Sequence, residues 1–244
     1  MKKRNFFKTL LLIVLIFGSL PFITMAQPKT GISIYLGGVH PVGSFFSTDN
    51  SISVYDQLIA GPPNLYNGAT IGASVGMRYT YSFQKTKLEN KGVGIFINAE
   101  LYWNSLNSDF RNEYDDAGKI KPCYLNVPIN MGLSYTYYFG KDDFVGIFAE
   151  AGAGVNLFKR TNEGWEDNAL YGIIKYDLTT SFGCSAGLGI ILDKKISLGF
   201  YYNYLGKHEM IMNGGREISI PNFLSIEPFE MTMNTVSLKI GFHF

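Results

Sequence analysis

The stretch CYLNVPINMGLSYTYYFG, residues 123–140, carries no charged side chain in 18 positions, and a hydropathy window reads such a run as a membrane-spanning helix. Its polar members argue for a strand. Asn126, Pro128, Asn130, Ser134 and Thr136 fall on alternate positions with Gly132, and Val127, Ile129, Met131, Leu133 and Tyr135 lie between them. Successive side chains of a strand point to opposite faces, whereas a helix would scatter these residues around its axis. The segment is therefore a strand with one polar and one apolar face.

Working outward from it, seven further segments alternate in the same way: Gly31–Val39, Gly68–Phe83, Val93–Leu106, Phe144–Phe158, Leu178–Leu192, Ile196–Gly206 and Thr232–Phe244, with the first stretch running from Pro122 to Phe139. In the last segment Val236, Leu238, Ile240, Phe242 and Phe244 share one face against Thr235, Ser237, Lys239, Gly241 and His243. A weak internal repeat, VGIFINAE at 93–100 and VGIFAEAG at 145–152, fits strands that enter from the same side. The connections alternate too. Gln84–Gly92, Gly140–Asp143 and Asp193–Lys195 are short, while His40–Asn67, Asn107–Lys121, Lys159–Asp177 and Lys207–Met231 hold 28, 15, 19 and 25 residues. Short turns on one rim and long loops on the other, with both termini on the short-turn side, are the pattern of an outer-membrane barrel. Both termini are then expected in the periplasm.

Composition agrees with that class and excludes others. Of 244 residues 46% are apolar and 17% charged, so the chain is neither disordered nor collagen-like. Two cysteines rule out a disulfide scaffold or a zinc ribbon, and a net charge of +1 gives no basic surface for nucleic acid. The first 26 residues have the parts of a cleaved signal peptide: Lys2, Lys3, Arg4 and Lys8, an apolar run from Leu10 to Leu20, and Thr24-Met25-Ala26 before a mature terminus at Gln27. Residues 27–244 then form one domain, with 17 basic against 20 acidic residues.

Two all-β architectures remain, a soluble lipocalin-like barrel with its apolar face inward and a transmembrane barrel with that face outward. The polar faces separate them. A water-facing surface carries interspersed Lys and Glu, but the polar face from Thr70 to Ser82 has Arg78 alone among Thr, Ser and Gly, and the face from Thr179 to Gly189 has no charge. Small residues of this kind suit a narrow lumen. The expected fold is an all-β, eight-stranded antiparallel up-and-down transmembrane barrel. Arg78, Glu100, Glu150 and Lys239 are the charges well inside the strands, all on the inward face. Counted from the short-turn ends they fall in one layer, and two cations with two carboxylates predict a salt-bridged lumen plug. Aromatic girdles are expected at Tyr79, Tyr81, Phe83, Tyr135, Tyr137, Phe139, Phe242 and Phe244 on the periplasmic side, and at Trp103, Tyr202 and Tyr204 on the other.

With these residues in place, the chain resembles the eight-stranded outer-membrane barrels of the OmpA/OmpX type, and more narrowly the PorT-like barrels of Gram-negative bacteria. YLNVPINMGLSYTYYF at 124–139 is similar to a PorT-like strand in which Tyr-Leu and Val-Pro precede an apolar run and a Tyr-Phe turn, with Asn126 and Asn130 more polar than that pattern. The terminal VSLKIGFHF resembles the C-terminal signal read by the barrel-assembly machinery, carried here by Val236, Leu238, Ile240, Phe242 and Phe244. The resemblance implies outer-membrane lipid, lipopolysaccharide and that machinery as partners; the peptidoglycan-binding domain of full OmpA-type proteins is not expected here, since the sequence ends at Phe244.

No catalytic constellation stands out. His40 and His208 are expected in solvated loops, where Ser44, Asp49, Asp56 or Glu209 could approach them, and His243 on the inner face. Cys123 and Cys184, on non-adjacent strands, are not expected to pair. Asp109, Asp115 and Asp116 lack the spacing of a calcium loop, so neither metal nor cofactor is expected. Recognition is left to the long loops, with Phe110, Tyr114, Trp165, Phe223 and Phe229 as contact anchors and a small hairpin at Asn213-Gly214-Gly215. The leading expectation is a non-enzymatic outer-membrane barrel whose loops make contacts or support the envelope. A small-solute channel or PorT-like secretion accessory is the alternative, and a lipid-modifying enzyme the third.

Overall fold

Strict alternation along the chain becomes long antiparallel strands in the computed structural model, which describes residues 30–45, 69–83, 91–106, 122–139, 144–167, 170–210, 212–214 and 229–244. In chain order the strands are β1 (Thr30–Val42), β2 (Ala69–Ser82), β3 (Lys91–Leu106), β4 (Cys123–Phe139), β5 (Val145–Arg160), β6 (Glu163–Asp167), β7 (Leu170–Tyr176), β8 (Thr179–Leu192), β9 (Ile196–Met210), β10 (Met212–Gly214) and β11 (Phe229–His243). Eight of them, β1, β2, β3, β4, β5, β8, β9 and β11, pair in that order, and β11 returns to β1 to close a barrel. Every barrel pairing is antiparallel. The expected signal peptide lies outside the described residues.

The barrel is inverted relative to a soluble one. Met131, Phe182 and Leu188 on the outer face are 67%, 66% and 64% exposed, while Arg78, Glu100 and Lys239 on the inner face are buried. Charges on the outer face of the described strands fall only near the rims, as at Lys207, Glu209 and Glu230. Ile34, Val75, Ile97, Leu101, Leu198 and Leu238 fill the band between with exposed apolar surface. An arginine or lysine at the midplane of such a band costs about 2–4 kcal/mol in a bilayer. The chain is thus a transmembrane β-barrel, and among the described residues no helix is long and apolar enough to cross a membrane.

On the loop side four strands, β1, β5, β9 and β11, run further than their alternation suggests, β11 beginning at Phe229 opposite Met210. β1 continues past Val39 because His40, Pro41 and Val42 still face Val236, Thr235 and Asn234, and β5 continues to Arg160 opposite Tyr124. β9 continues past Gly206 through a bulge. Met233 faces Gly206 while Asn234 faces Tyr204, so Leu205 is an extra residue. Gly206 takes φ of +93°, a conformation open to glycine, and the insertion reverses the parity beyond it. Lys207 therefore points outward, where it pairs with Glu230, and His208 points into the barrel.

The long loops are partly ordered against each other. β6 and β7 form a hairpin within the third loop, and Met212–Gly214 of the fourth loop adds to β7 opposite Ile174–Tyr176. The expected turn at Asn213-Gly214-Gly215 thus supplies an edge strand to a neighbouring loop, and Gly215 lies outside the described residues. At the opposite rim, Asp193 and Lys194 both have positive φ, and Lys195 N–H donates to Leu192 O at 3.0 Å. That is the primed turn which matches strand twist.

A ladder closed on itself has no edge for detergent to open. Unheated protein is therefore expected to migrate differently from boiled protein on an SDS gel, and identical migration of a folded sample would contradict closure. Replacing Gly206 by valine forces a β-branched residue into a positive φ, an expected loss of about 1–3 kcal/mol. A lower temperature for loss of the folded gel form checks it.

Candidate functional site

The barrel interior is the site that the strands build. Arg78 on β2 forms a bidentate ion pair with Glu150 on β5, across the lumen. Lys239 on β11 donates to Glu100 Oε2 on β3 at 2.5 Å and to the Tyr102 hydroxyl at 3.2 Å. Each cation also lies over two aromatic rings: Arg78 is 4.1 Å from the Phe96 centroid and 5.0 Å from Tyr35, and Lys239 is 4.3 Å from Tyr201 and 5.3 Å from Tyr102. Asn98 Nδ2 completes the layer by donating to Glu100 Oε1 at 2.7 Å. Glycines make room for it. A Cβ on Gly199 would lie 2.7 Å from the Tyr201 ring and 2.8 Å from Phe148, and one on Gly76 would meet the Glu100 side chain.

Toward the loop rim the interior is filled. Tyr102, Tyr124, Phe158, Leu205 and Met233 are all essentially inaccessible. After β1 a single 3₁₀ turn, Gly43–Phe45, folds inward and buries Phe45 edge-on against Tyr124 at 5.5 Å. Tyr124 in turn stacks on Phe158, whose ring lies 5.2 Å from His208. His208 sits 3.0 Å from both Asn156 Nδ2 and Thr179 Oγ1 and 3.1 Å from Leu205 O. Asn156 Nδ2 also donates to Asn126 Oδ1 at 2.8 Å. With its proton on Nδ1 the imidazole donates to Thr179 and accepts from Asn156. Arg160, also buried, lies over the rings of Tyr176 and Tyr124.

Toward the short-turn rim the same barrel is hollow. A chamber of about 300 Å³ extends from the Arg78–Glu150 pair to the exposed rim residues Thr30, Lys194 and Phe244. Ser33, Thr80, Ser134, Thr136, Ser197 and His243 contribute polar groups to its wall. His243 is held between two hydroxyls, Ser33 Oγ at 2.7 Å from Nδ1 and Ser197 Oγ at 2.8 Å from Nε2.

Of the residues singled out in the sequence, Arg78, Glu100, Glu150 and Lys239 meet inside the barrel as two pairs. Val236, Leu238, Ile240, Phe242 and Phe244 share the outer face of the last segment. His208 is corrected from a solvated loop residue to a buried one, because the bulge at Leu205–Gly206 turns it inward, and Glu209 is exposed on the other face. His40 likewise belongs to β1, opposite Val236. Cys123 and Cys184 are free. Asp49, Asp56, Asp109, Asp115, Asp116, Phe110, Tyr114 and Phe223 lie outside the described residues, as do the side chains of Ser44, Trp165 and Phe229. Among the described residues no group of His, Cys, Asp and Glu could hold a metal ion. Phe45 and the lumen side of His208 escaped sequence reading. Only the glycine at 206, where the alternating run ends, hints at the bulge that orients His208.

No family model and no curated protein matches the chain. Solved structures similar to it in fold include the outer membrane protein OprG of Pseudomonas aeruginosa, at 14% identity over 88% of this chain and 95% of that one with a TM-score of 0.44. Ail, the attachment invasion locus protein of Yersinia pestis, is 13% identical over 88% and 97% with a TM-score of 0.37. The outer membrane enzyme PagL is 13% identical over 87% and 98%, also at 0.37. These likenesses extend to fold and stop there.

Removing one member of a buried ion pair strands its partner, at a cost of about 3–5 kcal/mol. Arg78→Ala and Glu150→Ala are each expected to lower the unfolding temperature in micelles, and the double variant to cost less than their sum. The Lys239 and Glu100 pair is expected to behave likewise. Additive losses within either pair would show that the partners are wrongly matched.

Proposed function

We propose that this chain is an integral outer-membrane protein of a Gram-negative bacterium, without enzymatic activity, that presents a loop-built sheet outside the cell for contact with other molecules. One observation carries the reading: the barrel turns its apolar face outward and its charges inward, while β6, β7 and β10 from two different loops pair into one sheet on the long-loop side. Loops bound to each other present a fixed surface, which is what recognition at low entropic cost requires. Both termini and the short turns lie on the periplasmic side.

The polar interior supports the non-enzymatic part. A nucleophile needs a base and an orienting group within hydrogen-bond reach. His208 is held at Nδ1 by Thr179 and at Nε2 by Asn156 inside a filled layer, and His243 spans two serines with no carboxylate on either nitrogen among the described residues. Glu100 and Glu150 are each held by a cation. Transport of large solutes is disfavoured by the filled loop-side half, since eight strands enclose space for side chains or one small ligand. The finer PorT-like reading, an accessory role in protein export, is favoured by the stretch from Tyr124 to Phe139, and export components recovered with the barrel from solubilised envelope would support it.

Trypsin added to intact cells is expected to cut at the exposed Lys175 on β7 and to spare Lys194 and Lys195 until the envelope is permeabilised. The opposite order would reverse the orientation. In planar bilayers the purified barrel is expected to give little or no steady conductance, and open channels of porin size would overturn the reading.

A further inference from the structure

The two halves of the interior differ, and the difference assigns a site. From the ion-pair layer to the loop rim the lumen is filled by Tyr102, Tyr124, Phe158, Leu205 and Met233 and capped by Phe45. From the same layer to the short-turn rim it holds a chamber of about 300 Å³, near the lower end of small-molecule sites. The chamber is a cup with one mouth, and its closed end is the Arg78–Glu150 pair.

We propose that this cup binds an uncharged, hydroxyl-rich solute about the size of one sugar ring. Charge comes first. Nη1 and Nη2 of the guanidinium are engaged by the two carboxylate oxygens in bidentate geometry, so a charged ligand would have to break that pair, while the buried Nε–H of Arg78 is the one donor of the pair without a partner among the described residues. Hydrogen-bonding character comes second. Hydroxyls on the wall, from Ser33, Thr80, Ser134, Thr136 and Ser197, both donate and accept, as the hydroxyls of a sugar do. Because a neutral imidazole donates through one nitrogen and accepts through the other, the Ser33–His243–Ser197 chain leaves one serine with a spare donor and the other with spare acceptors. The Thr80 and Thr136 hydroxyls are drawn into no side-chain bond among the described residues. Tyr35 and Phe148 add aromatic surface for the apolar face of a ring. Lys194 stands at the mouth, close to the Tyr138 ring at 5.2 Å. On the orientation proposed above the mouth opens to the periplasm, but binding depends only on the closed interior.

The test is a titration of the full barrel in lipid nanodiscs, followed by amide and side-chain NMR shifts, with D-glucose as the neutral probe and sodium phosphate as the anionic one. Glucose is expected to give saturable shifts at Ser33, Thr80, Thr136 and Ser197 and none at the loop-side residues Asn126, Asn156 and His208. The double variant Thr80→Val, Thr136→Val keeps shape and removes two hydroxyls, so weaker glucose binding is expected with an unchanged folded gel form. Thr136→Trp, which fills the cup, is expected to abolish the shifts. If that variant fails to fold, the valine pair still decides. Absence of saturable glucose shifts, larger shifts with phosphate than with glucose, shifts confined to the loop side, or full binding by the valine pair would each overturn the proposal.

Discussion

Everything in this molecule depends on satisfying backbone polar groups where no water is available. An open sheet in hydrocarbon would leave a row of N–H and C=O groups unpaired at each edge, at several kcal/mol apiece. Closure of β11 onto β1 removes both edges, from Ser33 opposite His243 to Val42 opposite Asn234. Phe244 and Ile32 add a reciprocal backbone pair at 2.8 and 3.3 Å, which ties the last residue into the ladder. Once the ring is closed, side chains have two destinations, and alternation sends the apolar ones to lipid and the polar ones inside.

That sorting creates the second problem, charges in a poorly hydrated space. The barrel answers it by matching two cations with two carboxylates and by laying each cation over two rings. Space for these groups comes from glycines. The uncharged, small-residue inner face of β8 leaves room for Tyr201 of β9, and Gly76 leaves room for Glu100. A lumen lined by small residues on some strands is therefore filled from the others. Toward the short turns a chamber stays open, its wall shared by Ser and Thr hydroxyls and by the larger Tyr35, Tyr138 and Phe148.

Function follows from this division. The loop side is occupied by Phe45, the tyrosines and the asparagine–histidine cluster, and above it two loops share one sheet. On the function proposed above, a filled interior beneath jointly paired loops would serve as a fixed platform for contacts. The hydroxyl-lined cup lies at the other end, with the ion-pair layer between it and the loop side.

The sequence by itself determined the strand content, the inside and outside of each strand, and the choice of Arg78, Glu100, Glu150 and Lys239 as lumen charges. Period two is a local property, and a strand keeps it regardless of its neighbours wherever no bulge interrupts it. The loop-side ends of β1, β5, β9 and β11 were not legible in this way, since a strand goes on as long as a partner lies beside it. Neither was the matching of Arg78 with Glu150 and Lys239 with Glu100, which depends on positions across a closed ring. His208 shows the limit most sharply: one inserted residue at Leu205, permitted by glycine at 206, reverses every side chain beyond it. Only the register between β9 and β11 decided that this histidine faces the lumen, because a bulge is a mismatch between two strands and belongs to neither alone.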